Sequence, residues 1–165
     1  MVNVPFYGPK PKMFENEDFM KVNKLDHISI AVKDLETARR AWEPLLGKSK
    51  PDDRYLDESE KIRVARYWIG EVGFELMEST TSDGPVAEWI EKNGEGVMVV
   101  GLNVNNTRKA VTEMKAKGYS FVSDRNGNLA RPFRDCEFAL IHPRGLNGVL
   151  AELIDYKWSE LKEGE

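Results

Sequence analysis

The chain has few side chains with which to act on a small molecule. Its 165 residues include two histidines, His27 and His142, and one cysteine, Cys136. A single thiol forms no internal disulfide and no multi-cysteine metal site, and two imidazoles rule out a three-histidine zinc centre. HExxH, the phosphate-cradling GxxxxGKS/T and GxGxxG loops and the GxSxG nucleophile elbow are all absent. What remains is carboxylate and imidazole chemistry. His27 opens an alternating stretch, Glu75 lies in Phe74-Glu75-Leu76-Met77-Glu78, and Glu152 lies in Val149-Leu150-Ala151-Glu152-Leu153-Ile154. A carboxylate inside so apolar a run needs a partner. Glu75 also reads as an ordinary exposed strand residue. His142, next to Pro143, reads as a strand-end cap, and Cys136 as a plain strand residue. Arg131, Arg134 and Arg144 read chiefly as solvated surface charge, with contacts to ligand phosphates as the alternative.

The elements that position these residues follow from periodicity. Leu25–Val32 alternates, with Ile28, Ile30 and Val32 on one face and His27, Ser29 and Ala31 on the other, as in a half-buried strand. Asp34 offers a helix cap, Leu35, Ala38, Trp42 and Leu45 follow at helical spacing, and Pro44 and Gly47 close the helix. Strands are expected at Ile62–Ile69 and around Glu75, with another short one in the polar 48–61 loop. A helical insert starts at Pro85 with Asp83 as its cap and Val86, Trp89 and Ile90 as its apolar face. The first unit then recurs. An offset of 72 lays Ile28, Ile30, Val32 and Ala38 on Val100, Leu102, Val104 and Ala110, and Glu75 is mirrored by Glu152 at an offset of 77. Thr107 is a cap candidate for the second helix, and further strands are expected at 120–123, 138–141 and 149–154. Two modules of this size, each unable to bury its own sheet face, imply an α+β fold of two βαβββ modules forming a curved sheet around one cleft. In such a sheet the face not packed on the helices lines the cleft. The repeat makes positions 27 and 99 equivalent, and 75 and 152. His27, Glu75 and Glu152 therefore converge, with Val99 as the fourth corner.

The runs Leu25–Glu36, Gly84–Gly96, His142-Pro143-Arg144 and Gly148–Leu153 resemble the vicinal oxygen chelate (glyoxalase/bleomycin resistance/dioxygenase) superfamily, and within it the methylmalonyl-CoA epimerases most of all. The resemblance covers roughly residues 24–155. It implies one divalent metal (Co, Mn, Mg, Fe or Zn) held by His27, Glu75 and Glu152, with the family's third ligand falling on Val99, which has no donor atom. It also implies Glu152 as an acid–base group. The family's other glutamate belongs in the loop Asp57-Glu58-Ser59-Glu60-Lys61, where Glu60 is the candidate and Glu58 its neighbour. Three readings follow: a metal site short of one ligand, a metal-free proton-transfer site built on the two carboxylates, and a cleft that only binds a ligand. The favoured expectation is an epimerase- or isomerase-like enzyme working α to the carbonyl of an acyl-CoA or similar small acid. The alternatives are a metal-free small-molecule binding protein and, less favoured, a glyoxalase- or dioxygenase-type metalloenzyme.

Composition sets the remaining bounds. A net charge of −4 supplies no basic excess with which to neutralise nucleic-acid phosphates. No apolar run reaches the roughly 20 residues of a membrane helix, and the first residues carry no apolar leader core. The expectation is a cytoplasmic protein, with a homodimer implied by the resemblance. The organisation expected is an extension over 1–23, a first module over 24–80, a linking helix over 81–96, a second module over 97–155 and a charged tail over 156–165.

Overall fold

The computed structural model describes residues 19–156. The expected N-terminal extension and C-terminal tail therefore lie almost entirely outside the described residues. Nine strands and three helices follow in the order β1 (Val22–Ala31), α1 (Leu35–Leu46), β2 (Asp53–Asp57), β3 (Ile62–Ile69), β4 (Val72–Ser79), α2 (Pro85–Asn93), β5 (Gly96–Val104), α3 (Thr107–Ala116), β6 (Phe121–Val122), β7 (Ala130–Phe133), β8 (Cys136–Ile141) and β9 (Leu150–Tyr156). One sheet runs β2-β3-β4-β1-β5-β9-β8-β6, with β7 paired to β8. Its two halves meet where β1 and β5 pair antiparallel, and each half has a parallel neighbour to that central strand, β4 to β1 and β9 to β5. This is the curved α+β sheet of two βαβββ units.

The repeat holds at the level of individual register. Ser29 pairs with Glu75 in the first module, and Gly101 pairs with Glu152 in the second, matching the offsets of 72 and 77. The convex face packs on the helices. Ile30, Ala65, Tyr67 and Leu76 of the sheet cluster with Leu35 of α1, and Val104, Ile141 and Leu153 cluster with Ala110 and Met114 of α3. The helix α2 caps one end of the concave face through Val86 and Ile90 on Ala31, Val64, Met77, Met98 and Val99. No helix among the described residues is long and apolar enough to cross a membrane.

Local details depart from the sequence expectation in three places. Asp34 caps α1 by accepting from Thr37 N, as anticipated, but Asp83 does not cap α2. Gly84 stands at that position without a side-chain bond, and Asp83 pairs instead with Lys61. Thr107 is the first helical residue of α3 rather than its cap. Asn106 caps by accepting from Lys109 N, which leaves the Thr107 hydroxyl to donate to Glu137 O inside the core. The strand β7 was not anticipated, because Pro132 interrupts its run. It is an edge strand bonded only to β8, where a missing N–H is tolerated.

Candidate active site

The concave face encloses a cavity of about 130 Å³, and the four residues singled out for chemistry, His27, Glu60, Glu75 and Glu152, all line it. Its apolar walls include Met98, Val99, Phe138 and Leu140.

His27 is aimed into this cavity by a backbone irregularity. In a regular strand Asp26 and His27 would face opposite ways. Between Leu25 and His27 the strand advances two residues while β5 advances one, so Asp26 is the extra residue of a bulge and both side chains are buried. The imidazole Nδ1 then lies 2.8 Å from Asp26 Oδ2, which also accepts from the Tyr156 hydroxyl at 2.9 Å. Nε2 faces Glu152 Oε2 at 3.7 Å. Burial by itself lowers the pKa of the ring, but the charges of Glu75 and Glu152 and the bond to Asp26 outweigh it and hold it well above its ordinary value. Each ring nitrogen thus has a carboxylate oxygen as its neighbour.

Glu75 is buried and fully engaged. Its Oε2 accepts from Ser29 Oγ at 2.6 Å, and its Oε1 accepts from the Tyr55 hydroxyl at 3.1 Å and from Arg66 Nε at 2.6 Å, with Arg66 Nη2 at 2.5 Å. Burial pushes this carboxyl up, and the His27 and Arg66 charges and the Ser29 bond bring it below the usual carboxylate range. Arg66 sits directly across the β3–β4 ladder from Glu75, and its guanidinium lies 5.6 Å from the Tyr55 ring centre and 5.4 Å from that of Trp68. Arg66, Tyr55, Ser29, Asp26 and Tyr156 were not among the sequence candidates. The available signal for Arg66 was parity: it shares the inward face of β3 with Val64, a position where a charge is out of place.

Glu60 sits on the turn joining β2 to β3. Buried Asp57 shapes that turn by accepting from Ser59 N, Ser59 Oγ and Glu60 N, which directs Glu60 inward while Glu58 stays exposed. Glu60 is bound by Arg131, which is 7% exposed and is therefore not the solvated surface charge expected from sequence. Arg134 is exposed and pairs with Asp53, and Arg144 is exposed. His142 lies away from the cavity and caps the short 3-10 turn Pro143–Gly145 by accepting from Arg144 N.

Cys136 lines the cavity, and its thiol donates to Phe133 O at 2.9 Å. Burial, with the nearby Glu152 charge, pushes its pKa up to about 12. Cys136 in the native protein is expected to react with Ellman's reagent at pH 8 on the order of 10³-fold more slowly than in denaturant, since only the thiolate attacks. Comparable native and denatured rates would contradict its placement.

The donors as they stand do not fit the divalent metal that the resemblance implies. His27 with its Asp26 partner has the look of a carboxylate-supported metal ligand, and Glu152 is close by. Glu75, however, already carries a guanidinium, and Val99 brings no donor. Among the described residues no group of three or more His, Cys, Asp or Glu side chains is arranged to hold a metal ion.

Residues 26–139 match the family model described as the glyoxalase/bleomycin resistance protein/dioxygenase superfamily. An uncharacterized Bacillus subtilis protein, YqjC, is 32% identical over 146 residues, covering 87% of this chain and all of that one. The mouse mitochondrial methylmalonyl-CoA epimerase is 30% identical over 151 residues, covering 90% of this chain and 82% of the mouse protein. Among solved structures, a methylmalonyl-CoA epimerase in complex with methylmalonyl-CoA and an ammonium ion superposes with a TM-score of 0.74 at 25% identity, covering 84% of this chain and 97% of that one.

Proposed function

Starting from the chain's membership of the glyoxalase/bleomycin resistance protein/dioxygenase superfamily, we propose that it is an epimerase-type enzyme that moves a proton at the carbon α to a carbonyl, with a carboxylated acyl-CoA as its substrate class. The observation that carries this reading is the meeting of Glu60, from the β2–β3 turn of one module, and Glu152, from β9 of the other, at one cavity with largely apolar walls. Inverting a carbon centre needs a proton acceptor on one face and a donor on the other. The relatives named as epimerases of methylmalonyl-CoA set the substrate class.

In this reading the Glu152 carboxylate takes the α-proton, and the C–H electron pair passes into the adjoining carbonyl as an enolate. A proton returns to the opposite face by way of Glu60, which Arg131 holds at the cavity. The reverse turnover exchanges the two roles. The His27 ring stands beside Glu152, and the Arg66–Glu75 pair lines the same cavity. The His27 ring and the Arg66 guanidinium are the groups at this cavity able to stabilise negative charge that develops on an enolate oxygen.

The test follows the α-proton of methylmalonyl-CoA in D2O by mass spectrometry. Glu152→Gln is expected to slow exchange about 10²–10⁴-fold with folding intact. Glu60→Gln is expected to keep exchange for one stereoisomer while blocking interconversion of the two. Full exchange in Glu152→Gln sinks the proposal. A second reading, a binding protein without turnover, draws on the engagement of Glu75 by three donors, which is a feature of a static pocket. It requires an acyl-CoA to raise the melting temperature with no exchange at all.

A further inference from the structure

The two modules place equivalent residues around the pocket, and the differences between equivalents are informative. The bulge that holds Asp26 and His27 has a counterpart on β5. Between Ser29–Val99 and Ile30–Val97 the second module inserts Met98, so Met98 and Val99 occupy the places of Asp26 and His27. Both pairs are buried. Glu75 and Glu152 are likewise equivalent, but the residue across the ladder from Glu75 is Arg66, while the residue across from Glu152 is Leu140. The equivalent positions thus differ in charge: Asp26, His27 and Arg66 in the first module stand against Met98, Val99 and Leu140 in the second.

We infer that Arg66 is a built-in cation occupying the electrostatic role of the divalent metal implied by the resemblance, so that this pocket carries its fixed positive charge on the polypeptide and binds no divalent metal. Four observations converge on this. Glu75 Oε1, the oxygen nearest the guanidinium, is filled by two Arg66 contacts and the Tyr55 hydroxyl, and Oε2, which accepts from Ser29, keeps at most one acceptor site for another cation. The Arg66 side chain is only 14% exposed and lies against the Tyr55 and Trp68 rings, so its place is set by packing as well as by charge. A divalent ion at Glu75 would have to sit beside this guanidinium and be repelled by it. Val99, at the position equivalent to His27, offers no donor to offset that repulsion. The cation is permanent, because an arginine keeps its charge throughout the working pH range.

This inference deepens the proton-transfer reading by naming the source of positive charge, but its test does not depend on turnover. Wild-type protein treated with chelator and desalted is titrated with Co²⁺ by calorimetry and absorbance, alongside Val99→His, Arg66→Met and the two changes combined. The wild type and Val99→His are expected to take up no stoichiometric Co²⁺, and EDTA is expected to leave the wild-type melting temperature unchanged. The double variant, with four donors and no guanidinium, is expected to bind Co²⁺ about 10–100-fold more tightly than Val99→His, the size of change that altering a metal ligand's neighbour produces. Near one Co²⁺ per wild-type chain, lost in Glu75→Gln, overturns the inference. So does equal binding by Val99→His and the double variant, since the guanidinium would then not be the obstacle. Should the double variant fail to fold, the wild-type and Val99→His titrations decide alone, stoichiometric uptake by either one overturning it. An epimerase that turns over with metal bound would refute this inference and leave the proton-transfer reading standing. A chain that takes up no metal and shows no exchange would do the reverse.

Discussion

Glu75→Leu is expected to cost about 3–5 kcal/mol of folding stability in urea, while Arg66→Met combined with Glu75→Leu recovers most of it. Removing one partner of a buried ion pair strands the other charge, whereas replacing both with apolar groups of similar volume is often neutral or better. The stranded group here would be a guanidinium with a side chain only 14% exposed. Its remaining neighbours, the Tyr55 and Trp68 rings, interact with it far more weakly than a carboxylate does. Against a total stability of about 5–15 kcal/mol, a loss of that size moves the unfolding midpoint visibly. The four-member cycle isolates the coupling, because the two side chains are in direct contact and their changes should not add. The difference between wild type and Glu75→Leu is also expected to depend on pH. The carboxyl is held below its ordinary value of 4.5 in the folded protein, so its contribution is fully present above that value and is lost as the pH falls through the lower folded one. A Glu75→Leu variant within 1 kcal/mol of wild type would show that the pair is not buried as described.

Much of this arrangement was legible because the chain repeats itself. One alternating stretch, one helix cap at Asp34 and the run around Glu75 gave the first module its outline, and the offsets of 72 and 77 carried that outline onto the second, where Glu152 lies. Those offsets reappear as strand register, Ser29 with Glu75 and Gly101 with Glu152, because both modules use the same parallel pairing beside the central strand. Alternation could not reveal the bulge. A period of two assigns Asp26 and His27 to opposite faces, and only the antiparallel pairing of β1 with β5, distant in sequence, shows that Asp26 is an inserted residue sharing the site. Arg66 escaped for a related reason. A charge on a strand reads as solvent-facing until the register of the β3–β4 hairpin brings Glu75 opposite it. Glu60 and Arg131 were each visible, but their meeting joins the β2–β3 turn of one module to the edge strand β7 of the other, and Pro132 hid that strand. Local pattern gave the elements, and the strand pairings and their registers gave the polar network.

Gly101→Ala, which removes no polar group, is expected to damage the site about as much as His27→Ala. Gly101 lies on β5 opposite His27 with an ordinary strand backbone, so alanine brings no conformational strain of its own. The space its methyl would need is filled by the imidazole: a Cβ there lies 2.3 Å from His27 Cε1, 2.4 Å from Nδ1 and 2.7 Å from Nε2. Real Cβ atoms do not approach so closely, so either the ring turns out of its slot or the two central strands part. Overpacking of this kind costs about 1–3 kcal/mol. The functional cost comes from geometry. A turned ring loses Asp26 at Nδ1 and no longer presents Nε2 to Glu152, so proton exchange should fall to the level of the histidine deletion while Co²⁺ uptake stays absent. Gly73 makes the comparison quantitative, since a Cβ there meets His27 Cβ at 3.1 Å and Arg66 Nε at 3.5 Å, a contact that small shifts relieve, and Gly73→Ala is expected to be milder. Gly145, where a Cβ meets nothing within 4 Å and φ is not positive, should accept alanine within about 0.5 kcal/mol. Measured by urea unfolding and by exchange on the same preparations, the order Gly101 worse than Gly73 worse than Gly145 is the signature of a histidine ring seated in the space that Gly101 leaves open. Wild-type exchange in Gly101→Ala would mean that the orientation of His27 does not matter to the reaction, and the role given to its Nε2 would have to be abandoned.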